Sequence, residues 1–278
     1  MKNIKSILYS TVMLFFIFGV TSIATAAPIK VLGIDVGYAP NPYRDYSTLV
    51  NNLSTRPTIT ELGLLDVNFT EVSIAEFSSV DLYNYDVLFV SEAFLSGSTM
   101  VRNDALLDGL KNREAYIDEW LFKGHGLVAL SDPNVGAYDW LPDTIQPTIE
   151  PLTADNYMYI EDTSHPVMAG ITDTGLSGWG ASSHGKFMDT AGLDILVDDR
   201  RDNPITLAGT YGSGKVVLTL QDPNFHYYFT DSTHPDQIQF VSNALEWVST
   251  PVPEPATIIL LGSSLIGLLY GTRKFKKK

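Results

Sequence analysis

Two apolar segments, one at each end, bracket everything this chain can fold into. Residues 7–20 (ILYSTVMLFFIFGV) follow Lys2 and Lys5 and lead to Ala24-Thr25-Ala26, a small-x-small step with Ala27 just beyond it. A basic start, a short apolar run and an Ala-x-Ala site predict a Sec-type signal peptide over residues 1–26. The run is shorter than the ~20 residues of a spanning helix, which argues against an uncleaved anchor. At the other end, Pro253-Glu254-Pro255 precedes the apolar run Ala256–Tyr270, then Arg273, Lys274 and three more lysines. The prolines stop any preceding helix and hold an extended, protease-accessible step. The apolar run can enter a bilayer, and the basic cluster stays cytoplasmic. This run also falls short of the ~17–25 residues of a permanent span, as suits a segment that is cut.

In all three parts and their order, residues 251–278 resemble the PEP-CTERM protein-sorting signal. The resemblance implies an exosortase, a transpeptidase-like membrane enzyme, as partner, with cleavage near the Pro-Glu-Pro step. It implies a Gram-negative, polysaccharide-producing host. The expected partners are thus the Sec translocon and signal peptidase, then the membrane through the C-terminal helix, then the exosortase. The expected location is transiently the inner membrane and finally the outer surface or extracellular matrix. A plain C-terminal anchor is the alternative.

Charge sharpens once the ends are set aside. The chain has 18 Lys+Arg against 32 Asp+Glu, formally −14. Two basic residues lie in the leader and five in the tail with one acid, leaving a body of 11 basic and 31 acidic residues, near −20. So acidic a surface repels nucleic-acid phosphates, so no nucleic-acid partner is expected. Cysteine is absent, which excludes disulfides, thiolate metal sites and a Cys nucleophile. No metal or other cofactor is expected.

Residues 27–250 suit one larger domain. Ile29–Val36, Leu64–Val72, Tyr85–Val90 and Gly126–Leu130 read as strands, the near-continuous apolar ones buried on both faces. Gly37–Pro42 breaks the first, and Tyr46–Leu53 reads as a short helix. The spacing of Leu106, Leu110, Ile117, Trp120 and Leu121 predicts one helix over Asp104–Lys123, capped by Asn103 and ended by Gly124. Ile195–Asp198, Ile205–Thr210 and Lys215–Leu220 follow as strands, the last two joined by a Tyr211–Gly214 hairpin. A closing helix over His234–Val248 carries Ile238, Val241, Leu245 and Val248 at helical spacing, with Pro235 in its first turn. Strand, helix, strand in this rhythm argues for an α/β fold with a mostly parallel sheet.

Tyr85–Val90, Ala115–Trp120 before Gly124–Leu130, Ser164–Met168 with Gly170-Ile171, and Gly212–Val217 together resemble the class I glutamine amidotransferase-like fold. The match is to its trehalose-utilisation-type and other non-amidotransferase branches. That implies a flavodoxin-like sheet with flanking helices. In catalytic members a Gly-x-Cys-x-Gly elbow follows the strand matched by Gly126–Leu130. Here the sequence is Ser131-Asp132-Pro133-Asn134, with no Cys, no flanking glycine, and a proline that has no N–H to offer an oxyanion. The amidotransferase mechanism does not carry over, and no catalytic residue is assigned. Ser131 lacks a base selected by spacing, and Ser-Asp-Pro at a strand end is the chemistry of a turn or cap.

Ligands of open α/β sheets bind outside the carboxyl ends of the strands. Asp35, Glu92, Ser131, Asp132 and Asp222 are expected there. Trp179 and His184, in a Gly/Ser-rich loop, and His226, in Asp222-Pro-Asn-Phe-His226-Tyr-Tyr-Phe229, are candidates to join them. Such a mouth, acidic and aromatic, suits a sugar, whose C–H face stacks while its hydroxyls donate to acids. His165 and His234, each before a proline, read as loop or helix-start residues. Asp198-Asp199-Arg200-Arg201-Asp202 reads as a salt-bridged surface turn. Two function classes follow: an exported, non-catalytic surface or matrix protein binding an extracellular glycan or protein, or a secreted hydrolase using paired carboxylates or a metal.

Overall fold

A computed structural model of the chain describes residues 27–35, 67–90, 94–95, 101–102, 104–131, 138–178, 183–221 and 235–252. The expected signal peptide, the helix over Tyr46–Leu53, the Asn103 cap and the tail from Pro253 lie outside them. In chain order the strands are β1 (Ile29–Asp35), β2 (Val67–Ser73), β3 (Val87–Val90), β4 (Phe94–Leu95), β5 (Val101–Arg102), β6 (Gly126–Leu130), β7 (Ile149–Asp155), β8 (Met158–Ile160), β9 (Ser183–Phe187), β10 (Asp194–Asp199), β11 (Pro204–Tyr211) and β12 (Gly214–Thr219). The helices are α1 (Ile74–Phe77), α2 (Asp104–Lys111), α3 (Glu114–Phe122), α4 (Asp173–Leu176) and α5 (Pro235–Ser249).

Eight strands form one sheet in the order β2-β1-β3-β6-β12-β11-β10-β8. The first five run parallel, and the last three are added antiparallel. Numbered among themselves, the parallel strands follow the order 2-1-3-4-5 of flavodoxin-like sheets, with the reversal between β1 and β3. Every residue of β3 and β6 is buried, as continuous apolar runs demand of central parallel strands. The pairs β4–β5 and β7–β9 form two small separate sheets.

The closing helix packs on this sheet through Phe240, Val241, Ala244, Leu245 and Val248, all fully buried. Its last turn lies against the start of β6, where a Cβ on Gly126 would sit 2.4 Å from the Val248 carbonyl oxygen. The helix therefore runs antiparallel to the strands and brings its N-terminus to their carboxyl ends. Gly124 takes the left-handed conformation expected of a helix-terminating glycine, at φ 111°. Gly212 does the same in the two-residue hairpin between β11 and β12, at φ 59°.

Two expectations are corrected. The single helix over 104–123 is two helices, broken at Asn112-Arg113. The Arg113 guanidinium donates to the carbonyls of Phe77 and Val80, the latter at 2.7 Å, and lies over the Phe77 and Tyr116 rings. Those carbonyls end α1 and the turn after it, so a long-range tie sets the break. The 198–202 turn is not salt-bridged within itself. Asp198 is buried, and Asp199 accepts from the backbone N–H groups of Arg201 and Asn203 and from the Asn203 amide. Arg200 reaches out of the turn, its Nε 2.9 Å from Asp155 Oδ2.

Candidate functional site

The carboxyl ends of β6 and β12 and the N-terminus of α5 converge on one polar floor. Ser131 follows β6 and is buried, and its N–H donates to the Thr219 carbonyl at 2.9 Å. That donor continues the β6–β12 ladder and is not presented to a ligand. The buried Tyr138 hydroxyl lies 3.0 Å from the same Thr219 carbonyl and 3.2 Å from that of Ala129. Gln221, fully buried, donates its N–H to Thr219 Oγ1 at 3.1 Å and its Nε2 to the Leu176 carbonyl at 3.4 Å. Its Oε1 accepts from Thr206 Oγ1 at 3.4 Å.

The first turn of α5 adds two more groups. Asp236 accepts from the Thr172 N–H at 3.0 Å and the Thr172 hydroxyl at 2.9 Å, a carboxylate placed where the helix dipole favours it. Gln237 is 1% exposed, and neither its Nε2 nor its Oε1 has a hydrogen-bond partner among the described residues. Burying a primary amide without partners costs ~1–3 kcal/mol, so this group is the one on the floor with unspent hydrogen-bonding capacity.

Of the residues singled out in the sequence, Ser131 stands on this floor. Asp35 is the last residue of β1, opposite Ser73 on β2, and so at the carboxyl edge. His184 is corrected: it lies in β9, paired with β7, because residues 183–187 are drawn into that small sheet and are not part of a loop. Glu92, Asp132, Trp179, Asp222 and His226 lie outside the described residues, as do Ala24, Ala26, Pro253, Glu254, Pro255, Arg273 and Lys274. Ala27 is exposed at the head of β1. His165 starts a 3₁₀ turn, accepting from the Val167 N–H at 3.2 Å and packing on Trp247, and burial holds its imidazole below the usual range.

Gln237, Gln221, Tyr138, Thr206 and Thr219 were not singled out. One signal for Gln237 was available, since it stands at helical spacing with Val241, Ala244 and Val248, a polar residue on the buried stripe. Among the described residues, no group of three His, Asp or Glu side chains is placed to hold a metal ion. Nor is any described helix long and apolar enough to cross a membrane.

The topology and this floor define an α/β protein of the flavodoxin-like order. In structure the chain is similar to a cytoplasmic protein from Salmonella typhimurium, at 15% identity and TM-score 0.52 over 81% of this chain and 100% of that one. It is also similar to a glutamine amidotransferase from Thermotoga maritima (7% identity, TM-score 0.49, 81% and 99%). An exo-β-1,4-mannosidase from an Opitutaceae bacterium aligns as well (16%, 0.45, 82% of this chain and 37% of that one). No curated protein matches the sequence. Residues 251–274 match the PEP-CTERM protein-sorting motif. That motif marks the chain as an exported protein, processed by an exosortase and sorted to the surface of a Gram-negative cell.

Proposed function

We propose that the chain is an exported, non-catalytic surface or matrix protein whose body, residues 27–250, binds an extracellular glycan or another exported protein. The sorting motif at 251–274 carries the reading. The order of events is removal of residues 1–26 by signal peptidase, transient retention through the apolar run 256–270, and exosortase cleavage near Pro253. At the Gly126–Leu130 strand end there is no Cys, and the Ser131 N–H is committed to Thr219. The proposed ligand mouth lies over the floor just described, with Asp35, Glu92, Ser131, Asp132, Trp179, His184, Asp222 and His226 as its contributors and Gln237 added to them.

Intact mass and cell fractionation, with and without the exosortase, test the reading. The expected species begins at Ala27, ends near Pro253 and is found at the outer surface. Replacing Pro253 and Pro255 by Ala should leave an uncut chain in the inner membrane. A wild-type chain that stays uncut in the inner membrane would overturn the proposal.

A second reading, a secreted carboxylate hydrolase acting on polysaccharide, draws on Asp198. Burial, then the carboxylates of Glu161, Asp202 and Asp199, push its carboxyl up to about 6. A carboxyl whose hold on a proton is strengthened by burial and neighbouring carboxylates is of the kind that glycoside hydrolysis uses as an acid. Release of reducing ends from polysaccharide, abolished by Asp198→Asn, would favour this reading over binding.

A further inference from the structure

Both ends of the described body lie at the same edge of the sheet. The register aligns Val31, Val87, Gly126 and Lys215 across the amino ends of β1, β3, β6 and β12. Ala27 precedes β1 at that edge. The chain after α5 returns to it and is fastened there. Lys215 Nζ donates to the Trp247 carbonyl at 3.2 Å and to Thr250 Oγ1 at 2.9 Å. The Val252 N–H donates to the Ser213 carbonyl at 2.8 Å. Ser213 lies in the hairpin turn between β11 and β12, so Val252 is tied to a corner of the sheet itself.

That tie sets a distance. Val252 is followed by Pro253-Glu254-Pro255 and then by the apolar run from Ala256, four Cα steps away. Fully extended, those steps span at most ~14 Å, of which ~5–7 Å is headgroup layer when the run is in a bilayer. The run is itself short of a full span and has no length to lend. With the run inserted, the amino-end face of the body therefore stays within reach of the membrane surface.

The side chains around the corner suit that position. Phe122, 58% exposed, ends α3, and its carbonyl accepts from the Ser213 N–H at 3.0 Å. Its ring meets the Tyr211 ring edge-on at 5.7 Å. Lys123 follows, its Nζ 5.3 Å from the centre of the Tyr83 ring. Tyr83 is 40% exposed and edge-on to His125 at 5.5 Å. Exposed Phe and Tyr rings with a lysine among them match the layer between lipid and water. Asp86, which accepts from the Lys30 N–H, Asp118, bonded to Tyr211, and Glu119, paired with Lys123, stand at the same end. These carboxylates repel anionic headgroups and favour zwitterionic ones.

We propose that this amino-end face, with Phe122 and Tyr83 at its centre, docks on the zwitterionic lipid surface of the membrane that holds the uncut tail. The candidate mouth, at the carboxyl ends of the strands, then opens away from the membrane. The proposal rests on the reading of the chain as exported and held by its tail before cleavage, and adds which way the body faces.

Because the chain has no cysteine, an introduced one carries a fluorophore at a single position. Asn84→Cys, exposed in the 3₁₀ turn beside Tyr83, labels the docking face. Thr174→Cys, exposed in α4 beside the first turn of α5, labels the opposite end. The full chain, purified with its tail uncut from cells lacking the exosortase, is reconstituted in phosphatidylcholine vesicles with a nitroxide on the headgroup. Flotation reads whether the tail inserts, and nitroxide quenching reads which end meets the lipid. Strong quenching is expected at position 84 and little at 174. Phe122→Ser should lower the quenching at 84 at least about 2-fold, with flotation and melting temperature unchanged. Equal quenching at the two positions in a chain that floats overturns the docking and leaves the tail-held reading in place. Quenching at 84 that Phe122→Ser does not alter overturns it as well. A chain that does not float removes the membrane stage itself, and the docking with it. Quenching at 84 that appears only after the exosortase is added overturns lipid as the occupant and assigns the face to that enzyme.

Discussion

Thr206 and Thr219 join their hydroxyls at 2.8 Å on the seam where the sheet changes from parallel to antiparallel. Both are fully buried, and Thr219 Oγ1 also accepts the Gln221 N–H. Thr206→Val keeps the shape and strips Thr219 and Gln221 of a partner. The expected cost is about 1–2 kcal/mol, a fall in Tm of roughly 2–8 °C for a domain of this size. A double-mutant cycle with Thr219→Val should return a coupling of about 0.5 kcal/mol or more. Strict additivity would show that the hydroxyl pair is not coupled.

Asn243 fastens α5 to the turn before α4. Its Nδ2 donates to the carbonyls of Val167 at 3.0 Å and Ala169 at 2.8 Å. Asn243→Leu fills the space but leaves the buried Val167 carbonyl, and the partly buried one of Ala169, without this donor. A loss of about 2 kcal/mol is expected in chemical denaturation, with an unchanged m-value.

Asp198 and two histidines oppose each other in acid. The Asp198 carboxyl titrates at about 6 in the folded chain, above its unfolded value, so the folded state binds the extra proton. That group makes the fold less stable as pH rises from about 4 to 6. Burial lowers the imidazoles of His125 and His165 below their ordinary range. Their contribution is present above about 6.5 and is lost as pH falls through that value. Asp198→Asn should therefore be more stable than wild type at pH 7–8, with the advantage gone below about pH 4. It should also decline more steeply than wild type between pH 6.5 and 5. Thermal melts across pH 4–8 read both, and parallel curves for the two proteins would contradict this account.

Gly126 is required by contact, not by conformation. The Cβ of an alanine there would lie 2.4 Å from the Val248 oxygen and 2.7 Å from its carbonyl carbon, both backbone atoms that cannot swing aside. Gly126→Ala should cost about 3 kcal/mol or more, seen as loss of soluble protein or a large drop in Tm. Gly170→Ala, with nothing within 4 Å of its Cβ, is the control that separates this clash from backbone strain, since Gly170 has φ 71°.

Much of the fold was legible because its central strands are written locally. IKVLGID, VLFV and GLVAL are apolar without alternation, and a strand covered on both faces needs nothing else from the sequence. The closing helix was legible within a residue at each end, from Pro235 and the apolar spacing. The break at Arg113 was not, since the stripe of Leu106, Leu110, Ile117 and Trp120 continues across it. Nothing near Arg113 in sequence reveals that its guanidinium will reach the carbonyls of Phe77 and Val80. His184 was misread for a related reason: a short Gly/Ser-rich segment becomes a strand when β7 is available to pair with it.

The sequence by itself determined the address of this protein and the identity of its buried strands. Both are linear codes, read either by enzymes that meet an extended segment or by the alternation of apolar side chains along a few residues. Only the tertiary structure decided which polar groups are taken out of water. Thr206 meets Thr219, Gln237 is enclosed without a partner among the described residues, and Asp198 is buried opposite Tyr159. Burial of a polar atom depends on what distant parts of the chain pack against it, and its cost or its use to a ligand exists only once they have done so.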